Sequence, residues 1–229
     1  MQTELTILMP CLNEEKTVGY CVIDALNSMK KHNIEGNVLV VDNGSTDKSH
    51  DVAKDAGAAV ITKFDKGYGN ALLYGIHDSN SKYIIMADCD RSYDFSTVGE
   101  IIDLLREGNQ LVVGDRFGGN IEHGAMPVSH RYLGNPMISA IGRFVTKSNV
   151  ADFYCGLRGF DRQSILDLDL KSTGMTFALE MIVKSAEKGY KISNVPIILH
   201  RDGRCGKSHL NTIKDGMRSV NYLLTGTVI

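Results

Sequence analysis

Asp88 and Asp90 stand one residue apart at the end of an apolar run, Tyr83-Ile84-Ile85-Met86-Ala87. The run lacks polar alternation, which predicts a strand buried on both faces of a parallel sheet. On an extended chain residues i and i+2 point the same way, so both carboxylates can reach one cation. Two carboxylates at the carboxyl end of a strand suit Mg²⁺ or Mn²⁺, which take oxygen ligands and share them with substrate phosphates. A D-x-D pair is elsewhere an ordinary solvated turn or helix cap. The buried strand directly before it favours the metal.

The elements that must position this pair come from the alternation around it. Leu5 to Met9 predicts a short strand stopped by Pro10, followed by a polar turn at Asn13-Glu14 and a helix from about Glu15 to His32. Asn37 to Val41 predicts a second strand, ending in the turn and cap cluster Asp42 to Asp47 and a helix to Ala56. Ala58 to Thr62 predicts a third strand, and Lys66-Gly67-Tyr68-Gly69-Asn70 opens a helix through His77. Strand–helix alternation builds a parallel sheet with right-handed crossovers. Every turn with unusual chemistry then falls on one edge of that sheet.

The second half is less regular. A helix with Thr97 and Glu100 at capping-box spacing runs to Leu105. Gln110 to Asp115 predicts a strand leading to Arg116, and residues 117–130 a long mobile loop. Arg131 to Thr146 is helical in pattern, as are Phe177 to Lys188, which carries Glu180, and Leu210 to the end; Lys191 to Leu199 predicts a strand that Pro196 places at an edge. Between His200 and Arg218 lie Arg201, Arg204, Lys207, Lys214 and Arg218 against Asp202 and Asp215, a local basic excess.

A net charge of −2 provides no global field for nucleic acid. Five cysteines, odd in number and without a C-x-x-C, favour a reducing compartment over a disulfide framework. The N-terminus lacks the basic and apolar regions of a signal peptide, and no run is long enough to span a bilayer. The expectation is a cytoplasmic protein, at most peripheral to a membrane, with a single domain over residues 1–229.

The chain resembles a family-2 glycosyltransferase of the GT-A fold, nearest to the bacterial polyprenyl-phosphate (dolichyl-phosphate) mannose or glucose synthases. The likeness rests on PCLNEE (Pro10 to Glu15), VVDNGSTDKS (Val40 to Ser49), KGYGNAL (Lys66 to Leu72), MADCDRSYDF (Met86 to Phe95), VVGDRF (Val112 to Phe117), DFYCGLRGF (Asp152 to Phe160) and HRDGRCGKSHL (His200 to Leu210). It implies an α/β fold, a mostly parallel sheet flanked by helices. Residues 1–115 would form the nucleotide-sugar half and 116–229 the acceptor half. It implies that Pro10, Leu12, Asn13 and Glu14 line a nucleotide pocket, that Asp42 holds the base or ribose, and that Lys66 and Gly67 lie near a phosphate. Asp88, Cys89 and Asp90 would sit against the donor diphosphate, the two aspartates holding Mg²⁺ or Mn²⁺. Arg91 and Ser92 depart from many relatives, so the third ligand stays open among Ser92, Asp94 and water.

By the same likeness the donor is a nucleotide-diphosphate sugar, the acceptor a polyprenyl phosphate, and the transfer inverting. Arg116 would bind a phosphate and Asp152 would orient a sugar or act as base toward a hydroxyl acceptor. Arg201, Arg204, Lys207 and Ser208 would receive the acceptor phosphate. The final helix, with Leu210, Ile213, Met217, Val220, Leu223 and Leu224, offers an apolar stripe suited to a membrane interface. Other functions compatible with parts of the pattern are transfer to a soluble hydroxyl, a haloacid-dehalogenase-type phosphatase using Asp88-Cys89-Asp90-Arg91-Ser92, and a non-catalytic sugar-nucleotide sensor.

Overall fold

A computed structural model describes residues 2–203 and 212–226, the latter with backbone alone for 212–215. Strands β1 (Thr3–Cys11), β2 (Gly36–Asp42), β3 (Ala59–Thr62) and β4 (Ser81–Met86) alternate with helices α1 (Val18–Lys31), α2 (Ser49–Asp55) and α3 (Tyr68–Asp78). Then follow α4 (Val98–Arg106), β5 (Leu111–Ile121), α5 (Asn135–Thr146), β6 (Arg158–Asp161), α6 (Arg162–Leu166), α7 (Phe177–Glu187), β7 (Ile192–Leu199) and α8 (Thr212–Thr225).

The strands form one sheet in the order β3-β2-β1-β4-β6-β5-β7. All pairs are parallel except those of β6, which runs against β4 and β5. Leu5, Ile7, Leu8 and Met9 of β1 and Ile84, Ile85 and Met86 of β4 are buried without alternation, so both faces of the sheet are covered. Helices α1, α2 and α4 pack together as one group, and α3, α6 and α7 as another. Helix α5 packs on α7 and α8.

Strand order reverses between β1 and β4: β2 and β3 lie to one side of β1, and β4 to the other. In an open parallel sheet a ligand crevice forms where the connections diverge in this way. The turns after β1 and β4 are therefore adjacent, which brings Pro10 to Glu14 beside Asp88 and Asp90.

Pro196 lies in the edge strand β7, where a missing N–H costs no ladder bond on the open side. Two expectations are corrected, and two short elements are new. Residues 117–130 are not one loop: β5 continues to Ile121 alongside β7, and a π-helical turn at His130–Gly134 leads into α5. The antiparallel strand β6 and the short helix α6 carry no periodicity long enough to betray them. Thr97 does precede α4, but its hydroxyl makes no capping bond. Asp94 instead accepts from the Ser96 N–H at 2.9 Å.

Candidate active site

Pro10, Leu12 and Glu14, from the turn after β1, form one wall of a cleft of 990 Å³ at the carboxyl edge of the sheet. Asn13 between them does not line it. This residue is left-handed (φ 58°), its N–H donates to Ser45 Oγ (2.9 Å), and its Oδ1 accepts from the Thr46 N–H (2.8 Å). Asn tolerates that conformation better than most residues. Asn13 thus ties two turns together. Glu14 is buried, its carboxylate accepts from the Thr17 hydroxyl (3.0 Å), and its N–H donates to Ser49 Oγ (2.7 Å).

Asp42 is likewise engaged by the turn that follows it. It is buried and its Oδ1 accepts from the Ser45 N–H at 2.9 Å, closing the turn after β2. Its neighbour Asn43 lines the cleft instead. Asn43 Nδ2 donates to the carbonyls of Lys63 (2.8 Å) and Asp65 (2.9 Å), and its Oδ1 accepts from the Gly67 N–H (2.8 Å). One amide side chain thus draws the loop carrying Lys66 and Gly67 against the cleft, which both residues line. The sequence signal for Asn43 was hidden because an Asn in a strand-end cluster reads as a turn former.

Gly67 and Gly69 serve a close approach of protein to protein. Gly67 has φ 141°, and a Cβ there would lie 2.3 Å from the Thr173 carbonyl oxygen. A Cβ at Gly69 would lie 2.2 Å from that of Ser172. Segment 172–176, which lines the far wall, can press against the start of α3 only because these side chains are absent. Glu180 of α7 holds the base of that wall. Its carboxylate accepts from the N–H groups of Lys171 (3.0 Å) and Ser172 (2.7 Å) and pairs with Lys184 Nζ at 2.8 Å. Burial alone would raise its pKa, but these bonds outweigh burial and hold it below the usual value.

Asp88 and Asp90 both face the cleft. Asp90 is buried, its Oδ1 accepts from the Ser92 N–H (2.9 Å), and its carbonyl accepts from the Gly203 N–H (2.7 Å). Asp88 Oδ2 packs against Gly156, where a Cβ would sit 2.9 Å away. Tyr68 lies beside Asp88, and burial first, then this carboxylate, pushes the phenol well above its ordinary pKa. Tyr93 OH accepts from the Gly156 N–H at 3.0 Å, fixing the same corner.

The donor set, two carboxylates one residue apart that both line the cleft, suits a hard divalent cation. Among the described residues no group of three His, Cys, Asp or Glu could hold a metal ion by itself. Magnesium is commonly held by one or two carboxylates plus substrate phosphates and water, so two suffice. Of the open third ligands, Ser92 lines the cleft, whereas Asp94 is engaged outside it by Ser96 and His200. Arg91 does not reach the cleft; its guanidinium lies 4.9 Å from the Tyr20 ring centroid on α1. Cys89 is buried with its thiol directed to the Pro10 carbonyl (3.2 Å), and a bond with Cys11, then burial, raise its pKa well above normal. It supports the β1–β4 junction and does not line the cleft.

Arg116 and Asp152 are brought together as a buried ion pair. Arg116 Nε donates to Asp152 Oδ2 at 2.5 Å and Nη2 to Oδ1 at 2.9 Å. Asp152 is 0% exposed and lies behind the cleft lining, its carboxylate taken up by Arg116. Arg116 does line the cleft, but its fork is committed to this partner. Burial opposes its charge and Asp152 more than restores it, so its pKa is raised. Arg158, also 0% exposed, was not anticipated at all. It donates to the carbonyls of Cys155 (2.8 Å), Phe153 (2.9 Å) and Ala178, tying the loop before β6 to the first turn of α7.

Arg201 lies outside the cleft, with Nε donating to the His123 carbonyl (2.6 Å) and Nη2 3.2 Å from His123 Nδ1. Arg204, Lys207 and Ser208 fall outside the described residues. Among the described residues of the basic segment Arg218, from α8, lines the cleft, as does Asp202. His200 is bracketed by two carboxylates, Nδ1 at 2.8 Å from Glu122 and Nε2 at 3.0 Å from Asp94.

Comparison with known proteins agrees with this architecture. The sequence model described as "Glycosyl transferase family 2" matches residues 6–169. A low-salt glycan biosynthesis hexosyltransferase, Agl6, of Haloferax volcanii is 35% identical over 221 residues, 96% of this chain and 53% of its own. Glycosyltransferase AglJ of the same organism is 34% identical, over 92% of this chain and 67% of its own. A dolichyl-phosphate hexose transferase, also of Haloferax volcanii, is 28% identical over 93% and 89%. The chain therefore spans about half the length of Agl6. Among solved structures, glucosyl-3-phosphoglycerate synthase from Mycobacterium tuberculosis superposes with a TM-score of 0.76 at 19% identity, over 97% of this chain and 79% of that one. At that identity the likeness concerns the fold.

Proposed function

The chain belongs to the family 2 glycosyl transferases, enzymes of the transferase class with the GT-A fold, and from that membership we propose a specific transfer. A hexose moves from a nucleotide-diphosphate sugar to a polyprenyl phosphate, with inversion, in the presence of Mg²⁺ or Mn²⁺. The observation that carries this is the pair Asp88 and Asp90, side by side in a large cleft at the switch point of the sheet. The relatives named as a hexosyltransferase and a dolichyl-phosphate hexose transferase support the sugar and the acceptor class. The same synthase fold has been solved with Mg²⁺ and uridine diphosphate and with Mn²⁺ and uridine-diphosphate-glucose, which supports the cation and the donor class.

In this assignment Pro10, Leu12, Glu14 and Asn43 form the nucleoside wall, and Lys66 faces the diphosphate. Asp88 and Asp90 hold the cation, which when bound offsets the charge growing on the leaving nucleotide. An acceptor phosphate oxygen attacks the anomeric carbon, the bond from that carbon to the β-phosphate oxygen breaks, and the nucleoside diphosphate leaves with the electron pair. Arg218 and His130 face the acceptor, so most of the acceptor side comes from residues after 115. A phosphate acceptor is ionised near neutral pH and needs no strong base, in keeping with Asp152 being locked to Arg116.

Asp88→Asn and Asp90→Asn are each expected to cut transfer by two or more orders of magnitude with little change in melting temperature, and EDTA to do the same to wild type. Full activity in EDTA would remove the cation. Transfer to a soluble hydroxyl acceptor is the competing outcome. There a carboxylate must take the proton, and Asp202 is the cleft residue placed for it. Asp202→Asn then abolishes turnover, whereas with a phosphate acceptor it is tolerated. A thermal-shift panel of nucleotide-sugars identifies the donor, since a ligand at 100 times its Kd stabilises by about 2.7 kcal/mol.

A further inference from the structure

Helix α5 and the turns before it are apolar on two sides. On the inner side Ile138, Ser139 and Gly142 are buried, and Ser139 Oγ accepts from the Phe153 N–H at 3.2 Å, so the helix is firmly docked. On the outer side Phe144 is 86% exposed, Val128 73% and Tyr132 71%, with Leu133 and Met137 also outward. Leu133, Met137, Ala140 and Phe144 follow the i, i+4, i+7, i+11 spacing that keeps one face of a helix. Helix α8, packed on α5, exposes Met217 and Leu224 seven residues apart and so on one face of its own. Isolated exposed apolar residues are ordinary, but a contiguous row of large ones is a contact surface.

Charge identifies the partner. No Asp or Glu occurs from Gly124 to Ala151, while Arg131, Arg143 and Lys147 do. Arg131 lies against Tyr132, its guanidinium 5.6 Å from the ring centroid, and Arg143 Nη1 donates to the Ala151 carbonyl at 3.2 Å. Cations set among exposed aliphatic and aromatic side chains are the composition of a segment that lies in a bilayer interface with its charges at the headgroups. The same segment turns its other side to the cleft: Ala125, Met126, Pro127, His130 and Asn135 line the acceptor end.

We propose that the outer face of residues 128–145 is a docking surface for a bilayer bearing anionic lipid headgroups, setting the acceptor end of the cleft against the membrane. This deepens the polyprenyl-phosphate assignment and rests on it for its purpose, but it is measured separately. No helix among the described residues is long and apolar enough to cross a membrane, so this face makes a surface contact. The stripe expected along the final helix is divided: Leu223 is buried against the protein, Val220 is partly buried, and Met217 and Leu224 alone of its described members face outward.

The test uses the absence of tryptophan from the chain. Phe144→Trp introduces a single indole at the centre of the face. With vesicles of phosphatidylcholine and phosphatidylglycerol, its emission should shift to the blue and be quenched by brominated acyl chains; with phosphatidylcholine alone the binding should be about tenfold weaker. Leu133→Glu/Phe144→Glu should lower vesicle binding at least tenfold at unchanged melting temperature, since both positions are exposed. Turnover of a short-chain, water-soluble polyprenyl phosphate should be unchanged. Binding that survives the double variant, or an indole that stays in water on bound vesicles, overturns the surface. So does a wild type that ignores vesicles, with concentration-dependent dimerisation then assigning the face to a second copy. In each of those cases turnover of the short-chain acceptor still reports on the transferase assignment independently.

Discussion

Asp152 shows how a residue that looks reactive in sequence can be spent on structure. Removing one member of a buried ion pair leaves the other charge unpaired, at a cost of about 3–5 kcal/mol, whereas replacing both with apolar groups is often far cheaper. Asp152→Ala is therefore expected to lose about that much stability in urea unfolding, and Arg116→Met/Asp152→Leu to recover a large part of it. Equal losses in the single and double variants would mean that the pair is not the source. Arg158 is a sharper case, a buried guanidinium that donates to three backbone carbonyls. Nothing in the run Asp152 to Phe160 marks it as interior, because its partners are backbone atoms from two elements. Asn43 was obscured in the same way, its three bonds all going to a loop about twenty residues on.

At the level of elements, the wall facing the donor loop depends on two glycines. A Cβ at Gly69 would meet the Ser172 carbonyl at 2.2 Å, too close for a flexible group to yield, since the obstacle is backbone. Gly69→Ala should therefore destabilise by about 1–3 kcal/mol and push segment 172–176 outward. Nucleotide affinity, measured by calorimetry, should fall with it. Glu180→Gln should have a milder form of the same effect, because Gln keeps one acceptor for the Lys171 and Ser172 N–H groups but loses the charge that Lys184 pairs with. If Gly69→Ala bound nucleotide and melted like wild type, the close approach would carry no weight.

Across the whole molecule, His200 joins three segments distant in sequence. Its ring contacts Asp94 after β4 and Glu122 after β5, and its backbone N–H donates to the Ser92 carbonyl at 2.9 Å. Burial alone would lower the imidazole pKa, but the two carboxylates outweigh it, so the folded-state value lies above 6.5. A raised folded pKa means that protonated His200 stabilises the fold fully below the unfolded value and that this stability is lost as pH rises through the folded one. The Tm gap between wild type and His200→Phe should thus be widest near pH 6 and narrow toward pH 9. Burial tends to raise the Asp94 carboxyl and hydrogen bonds from Ser96 and His200 more than reverse it, so it stays charged throughout that window. A gap constant from pH 6 to pH 9 would show that packing, not charge, is responsible.

Local pattern alone determined the first four strands, the helices between them and the edge on which their turns meet. Each is read from periodicity and turn residues within a dozen positions. That Asp88 and Asp90 meet at a strand end was legible for the same reason, since a buried strand followed at once by two acids is a local signal, whereas Pro10, Leu12 and Glu14 were named by family resemblance and the structure shows them in the cleft lining. The reversed strand β6 and the continuation of β5 to Ile121 had no such signal, since a four-residue strand is defined by its partners. Which polar residue faces the cleft was likewise a tertiary matter. Asp42 and Asn43, or Asn13 and Glu14, are neighbours in sequence, and only the bonds made to Ser45, Thr46 and the 63–67 loop separate one that binds the fold from one that faces the cleft. The basic run after His200 was visible as charge, yet only packing sends Arg201 to His123 and Arg218 into the cleft. A charge pattern records how many cations are present, while the path of the backbone decides where each one points.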